Sequence, residues 1–261
     1  MADYIFIRKS RNALSSLIHT ILNLLLAVVS IGATVITGNF IIGLVLIVVS
    51  KWRVFAVNHR YWWVNIRSSL VDFIVGVGFV LLAYAAGSSF LPVHFVLMAL
   101  YAIWLIVIKP RSSLNAAIVQ ALIAVFVGST AAAIFAAISD SLVLVISEFI
   151  IGYAASHHVL VQGDEHESSF LSIICGLFFA EIAWLSHAWL ILYNFASTGI
   201  CVSQLSLILT ILSFLYFKLY NNMAKNSGKL QIREVALPII FSLVVVAVLI
   251  ITFSQPRFNI H

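Results

Sequence analysis

Charge is scarce in this chain. Asp, Glu, Lys and Arg make up 9% of its 261 residues, against about 25% in soluble domains. That shortage excludes an ordinary soluble surface and leaves no stretch polar enough to fold as a separate soluble domain. There are only two cysteines, Cys175 inside one apolar run and Cys201 at the start of another. They exclude a disulfide framework and a thiolate metal site. Enzyme signatures are missing too. There is no G-x-S-x-G elbow, no H-E-x-x-H, no Walker loop and no dinucleotide fingerprint, and no paired aspartates of prenyl-transfer type. Any catalysis would have to take place inside the membrane, so the composition leans away from an enzyme.

What the chain has instead is apolar length. Hydrophobic residues make up 63% and the mean hydropathy is +1.13. Apolar runs of about eighteen residues or more, the length a membrane-spanning helix needs, recur from end to end. They do not alternate as barrel strands do. The sequence therefore predicts an all-α, polytopic integral membrane protein forming a single domain over 1–261. Its nine spans are expected near 13–37, 40–57, 68–86, 90–108, 112–138, 140–161, 168–194, 200–220 and 234–253. The first run follows Arg8, Lys9 and Arg11 as a signal peptide would, but 13–37 is too long for a signal core and reads as a retained span. Pro238 falls in the first turn of the last span, where proline is tolerated. The second span is short before Lys51. Were it re-entrant, an eight-span arrangement would result.

Charge then orients the spans. With the N-terminus in the cytoplasm and the C-terminus outside, all but Arg257 of the 14 Lys and Arg residues fall on the inner side, as the positive-inside rule requires for a cell-membrane protein. The stretch Lys51–Arg67 combines Lys51, Arg53, Arg60 and Arg67 with Trp52, Tyr61, Trp62 and Trp63. That mixture suits a short interfacial segment on anionic headgroups. Nucleic acid is not expected as a partner, because the stretch is short and pinned between two spans.

The costly residues are the ionisable ones at depth. A charged side chain at the bilayer centre costs roughly 2.5–3.5 kcal/mol or more. Glu148 and Glu181 lie well inside consecutive spans that are expected to be antiparallel neighbours. His187 lies near the outer third of its span, and Asp72 and His19 lie nearer the inner side. Together they form a ladder that could serve as a proton relay or as a cation or substrate site in a transporter. For Asp72 and His19 alone, hydrogen bonding to a neighbour is the favoured reading.

Weaker patterns accompany the ladder. Asn39–Gly43, Asp72–Gly76 and Glu148–Gly152 each place a polar residue and a glycine four apart on one helix face, a hint of internal duplication. Ala124, Gly128, Ala132 and Ala136 form a small-residue face suited to close helix packing, within the chain or in a homo- or hetero-oligomer. Ser203, Ser206, Thr210 and Ser213 form a hydroxyl stripe. His157, His158, Asp164, Glu165, His166 and Glu167 could hold a divalent metal, although a solvated loop is the commoner outcome. No cofactor is predicted, and a haem between His94 and His187 lacks a supporting attachment motif. The leading expectation is thus a transporter or permease-like protein with Glu148 and Glu181 as its site. A non-catalytic membrane subunit docking a partner through the small-residue face is the alternative. An intramembrane lipid-acting enzyme is the weaker third.

Overall fold

A computed structural model describes residues 2–56, 58–87, 91–137, 139–188, 191–194, 201–226 and 228–252, with the backbone alone for residues 2–16. The chain is all-α and about 85% helical. Its elements are α1 (Ala2–Thr37), α2 (Phe40–Ser50), α3 (Trp52–Phe55), a 3₁₀ turn (His59–Tyr61), α4 (Trp62–Ala85), α5 (Leu91–Ile103) running into a π-helical turn (Trp104–Ile108), α6 (Leu114–Ala136), α7 (Ser141–Gln162) and α8 (Ser168–His187). A two-stranded antiparallel ribbon follows, β1 (Leu192–Asn194) on β2 (Cys201–Ser203), and then α9 (Gln204–Lys225) and α10 (Ile232–Thr252). Among the described residues seven helices are long and apolar enough to cross a membrane, and α2 and the α5 segment are shorter apolar helices.

Local chemistry sets several helix starts. Asn39, Ser113, Asp140 and Ser203 accept backbone N–H groups with their side chains at the first turns of α2, α6, α7 and α9, which satisfies donors that a helix start leaves orphaned. Between α1 and α2, Gly38 takes a φ of +62°, a conformation glycine adopts without steric penalty.

Four expected boundaries are corrected. The second span ends at Ser50 rather than near 57, because Lys51 closes it and the chain turns into the four-residue α3. Its 11 residues rise only about 16 Å. The next helix begins at Trp62 instead of 68, so Trp62 and Trp63 fall in its first turn while Trp52 starts α3 and Tyr61 ends the 3₁₀ turn, all four exposed. The span expected over 168–194 stops at His187. Leu192–Asn194 pairs instead with Cys201–Ser203, and the following helix starts at Gln204 rather than 200. Short apolar strands and helices look alike in hydropathy, which is why both ends read as helix. The turn expected at 196–199, Ser88–Ser89 and Arg257 lie outside the described residues.

The core is built around α6, the most buried of the seven long helices, which packs on α4, α7 and α9. The α7–α8 pair is the most extensive helix contact, while α1 packs on α2, α4 and α5, and α10 on α9. Small residues make these approaches close. Ala124, Gly128, Ala132 and Ala136 are all buried, and the Cβ that Gly128 lacks would stand 2.6 Å from Ile74 Cγ2. That face is therefore occupied within the chain. Gly152 on α7 receives Phe179 of α8, and Gly176 on α8 receives Phe149 of α7, a reciprocal exchange of glycine and phenylalanine.

This packing makes Gly152→Leu a sharp test. A Cβ there would meet Phe179 Cγ at 2.6 Å and Cβ at 2.9 Å, near the root of the side chain where it cannot swing away. Overpacking of this kind costs about 1–3 kcal/mol. Thermal unfolding in detergent should show Tm several degrees lower for Gly152→Leu, and little change for Gly38→Asn, where nothing lies within 4 Å and asparagine tolerates the turn. Equal Tm for Gly152→Leu and the native chain would contradict the packing.

Candidate functional site

Polar groups from α4, α6 and α7 and from the ends of α2 and the α5 segment converge around Asp72. Its Oδ2 accepts from two ammonium groups, Lys51 at the end of α2 and Lys109 just beyond the π-helical turn, the latter at 2.8 Å. Its Oδ1 accepts from Trp104 Nε1 at 3.0 Å. The π-helical turn carries Trp104 in its first position. Such bulges are rare and frequent at functional sites.

A second set of contacts holds the opposite wall. Gln120 on α6 donates its Nε2 to Ile108 O at 2.8 Å and Arg111 O at 2.9 Å, tying α6 to the turn that follows the α5 segment. With the amide nitrogen committed to carbonyls, the Oε1 of Gln120 can only accept. His158 on α7, whose Nε2 stands 2.7 Å from that oxygen, must then carry its proton on Nε2. Between these walls lies a cavity of about 310 Å³ lined by Lys51, Asp72, Trp104, Lys109, Gln120 and His158, within the size range of small-molecule sites.

The charges around this cavity do not cancel. Two lysines face one aspartate, and Lys51 and Asp72 are largely buried while Lys109 is partly exposed. Burial costs a charged group heavily unless it is paired. Lys51 and Lys109 stand beyond the last turns of their helices. Burial first, and then the charge of Lys109, push Lys51 down to about 7, and burial likewise holds Lys109 below the usual lysine range. The cavity is thus a place where an additional negative charge would be stabilised. Ser68 and Ser69 also border it, but they donate to the carbonyls of Asn65 and Ile66, so the ammonium groups are its principal free donors.

The ladder read from the sequence is distributed differently. Glu148 is fully buried, and Ser129 Oγ of α6 donates to its Oε2 at 2.7 Å. Its Oε1 has no partner among the described residues. Ser129 stands about 13 Å beyond Gln120 along α6, and Ala121, Ala124 and Val125 are buried in the interval. Glu181 is exposed, on a face of α8 with Leu177, Phe178, Trp184 and Leu185, and away from the buried Gly176, Phe179 and Ala183 that meet α7. The two carboxyls therefore do not converge, because Glu148 faces α6 and Glu181 faces outward. His187 and His19 are exposed as well.

The weaker patterns resolve individually. His94 is buried with Nε2 3.2 Å from Ala83 O, on α5 against α1 and α4, whereas His187 ends α8 on the far side of α7. No haem geometry arises from them. His157 stacks on Tyr153, His158 turns to Gln120, and Asp164, His166 and Glu167 are exposed. Among the described residues no three His, Cys, Asp or Glu side chains form a metal-binding group. Ser206 joins α9 to α6 through Thr130 at 2.8 Å. Arg67 ties α4 to α8 by donating to Ser169 Oγ at 2.9 Å, with its guanidinium 5.5 Å from the Tyr153 ring centroid. The lysine pair was not read from the sequence as a site. Part of the signal was there, since Lys51 and Lys109 each close an apolar helix, but Asp72 lies in the middle of α4.

Asp72→Asn removes the only carboxylate between the two ammonium groups. Breaking a buried pair from one side costs about 3–5 kcal/mol, and the partial exposure of Lys109 places this case at the low end. Tm should fall clearly for Asp72→Asn and recover in part in the double variant with Lys51→Gln. Additive losses in the double variant would contradict the shared ion pair. No protein-family model, curated protein or solved structure matches the chain.

Proposed function

We propose that the chain is an integral membrane protein of permease-like function whose substrate is an anion bound at the Lys51–Asp72–Lys109 cavity. The observation that carries this reading is the excess of ammonium over carboxylate on the wall of a built cavity. The seven long apolar helices support the membrane setting. The inner-side distribution of Lys and Arg supports a cytoplasmic N-terminus and an outer C-terminus. In that orientation the cavity opens at the cytoplasmic face. Glu148, with one carboxyl oxygen unpartnered in an apolar interior, is the group that would hold a proton or small cation during carriage. Glu181 and His187 lie off this path.

Anion binding is measured by ligand-induced stabilisation, since a ligand at a hundredfold excess over Kd adds about 2.7 kcal/mol. Inorganic phosphate and dihexanoyl phosphatidylglycerol are the probes. At least one should raise Tm of the purified protein, and the rise should vanish in Lys51→Gln/Lys109→Gln, which keeps Asp72 hydrogen-bonded to Trp104. No rise with either probe would overturn the anionic-substrate reading. Carriage is then read as faster loss of the entrapped, binding-competent probe from proteoliposomes than from protein-free vesicles. Equal rates would assign a binding subunit without transport.

A pH dependence follows from Lys51. Its folded value lies near 7, below the ordinary lysine value, so it is protonated below about pH 7 and neutral above. The groups facing it are Asp72 from α4, Lys109 after α5 and, across the cavity, His158 from α7. Phosphatidylglycerol does not titrate in this range, so its affinity should be higher at pH 6 than at pH 8. Tighter binding at pH 8 would contradict the role of Lys51.

A further inference from the structure

The polar cavity does not end at Lys51. A second cavity of about 220 Å³ adjoins it, sharing Lys51 and Ser69, and its other walls are apolar: Val48, Val54, Ile66, Leu70 and Phe73. A third, of about 510 Å³, shares Leu70 and Phe73 with the second and continues past Leu44 to Phe40, between α2 and α7. The three therefore form one series, with ammonium groups at one end and hydrocarbon along the rest.

The sequence explains why this groove is open. α2 has only 11 residues and covers about half the bilayer's hydrocarbon thickness of roughly 30 Å. The widest part is bordered by Leu44 of α2, Val77 and Leu81 of α4, the short side chains of Ala131 and Ala132 of α6, and Ile150 of α7. The groove follows α2 from Lys51 to Phe40, about 16 Å at 1.5 Å per residue, the depth of one leaflet. Its charged end is level with Lys109 and Gln120, beside the turn that joins the α5 segment to α6.

We propose that this composite site binds an anionic lipid, with its phosphate between Lys51 and Lys109 and one apolar chain along the groove between α2, α4 and α7. This rests on the anion-binding reading and narrows it, since a small free anion would use only the polar end. Three features select such a lipid over a neutral one or a free anion. With Lys51 protonated, the lysine pair carries more positive charge than Asp72 can neutralise. Lys51 is a wall common to the polar and apolar cavities. The apolar part runs along a single helix for the depth of one leaflet. Trp52 and Trp62, exposed near the same end, suit the headgroup level.

Native mass spectrometry in detergent, with competition, tests the assignment on the full chain. The probes are dioleoyl phosphatidylglycerol, dioleoyl phosphatidylcholine, dihexanoyl phosphatidylglycerol and inorganic phosphate. The expected order places dioleoyl phosphatidylglycerol at least tenfold tighter than each of the others. Leu44→Trp and Val77→Trp, which fill the groove, should lower its affinity at least tenfold and leave that of dihexanoyl phosphatidylglycerol unchanged. Lys51→Gln should weaken both phosphatidylglycerols. Equal affinity for the long- and short-chain forms, or for inorganic phosphate, would overturn the lipid and leave a free-anion site. Equal affinity for phosphatidylcholine would overturn it in favour of unselective annular lipid. Binding of no anionic probe would overturn the anion reading as well. Should a groove variant fail to fold, the chain-length and headgroup comparisons on the native protein decide alone.

Discussion

One carboxylate held between two ammonium groups gathers the ends of α2 and the α5 segment onto the middle of α4. That carboxylate belongs to Asp72, and Trp104 fixes it from the π-helical turn. Gln120 and His158 bring α6 and α7 to the same place. Elements far apart in sequence thus meet through hydrogen bonds and ion pairs in a region where bare charge is expensive. When Lys51 is protonated, the arrangement leaves one positive charge over.

Away from that cluster the helices also meet through glycine against phenylalanine or isoleucine, as at Gly152, Gly176 and Gly128. Helices that approach this closely gain dispersion contacts without needing polar partners. Polar contacts accompany them: Thr130 meets Ser206, and Glu148 has one hydrogen bond from Ser129 and one oxygen left over. Glu148 is separated from the Asp72 cluster by buried alanine and valine, so the two polar centres are distinct and any coupling between them must work through helix movement. The glycine half of the recurring polar-x-x-x-Gly pattern has a common role, since Gly43, Gly76 and Gly152 each sit where a Cβ would crowd a neighbouring helix. Its polar half does not. Asn39 caps α2, Asp72 gathers lysines and Glu148 faces Ser129.

Hydropathy made the seven long apolar helices legible, because each is an apolar run bounded by a cap, a glycine or a charge. The small-residue face of α6 was legible for the same reason, although only the fold shows that α4 and α7 fill it. The orientation of Glu181 was recoverable as well. Gly176 and Ala183, seven apart, share the face turned to α7, and Glu181 falls well off that face. What was hidden depends on tertiary pairing. No spacing rule links Asp72 to Lys51 and Lys109, the π-helical turn leaves no mark in the apolar run that contains it, and the β1–β2 pair is too short to carry a period. The groove is hidden most deeply, since it exists only because α2 is short and its neighbours are small.

An experimental map of the protein purified with native lipid is the most direct measurement of the central claim, that the Lys51–Asp72–Lys109 cluster and the groove beside it form the ligand site. The expected result is elongated density with a compact head between the two lysine side chains and a tail lying along Leu70 and Phe73 toward Leu44. Density for a ligand at Glu148 instead, with the lysine cavity closed by its own side chains, would contradict it.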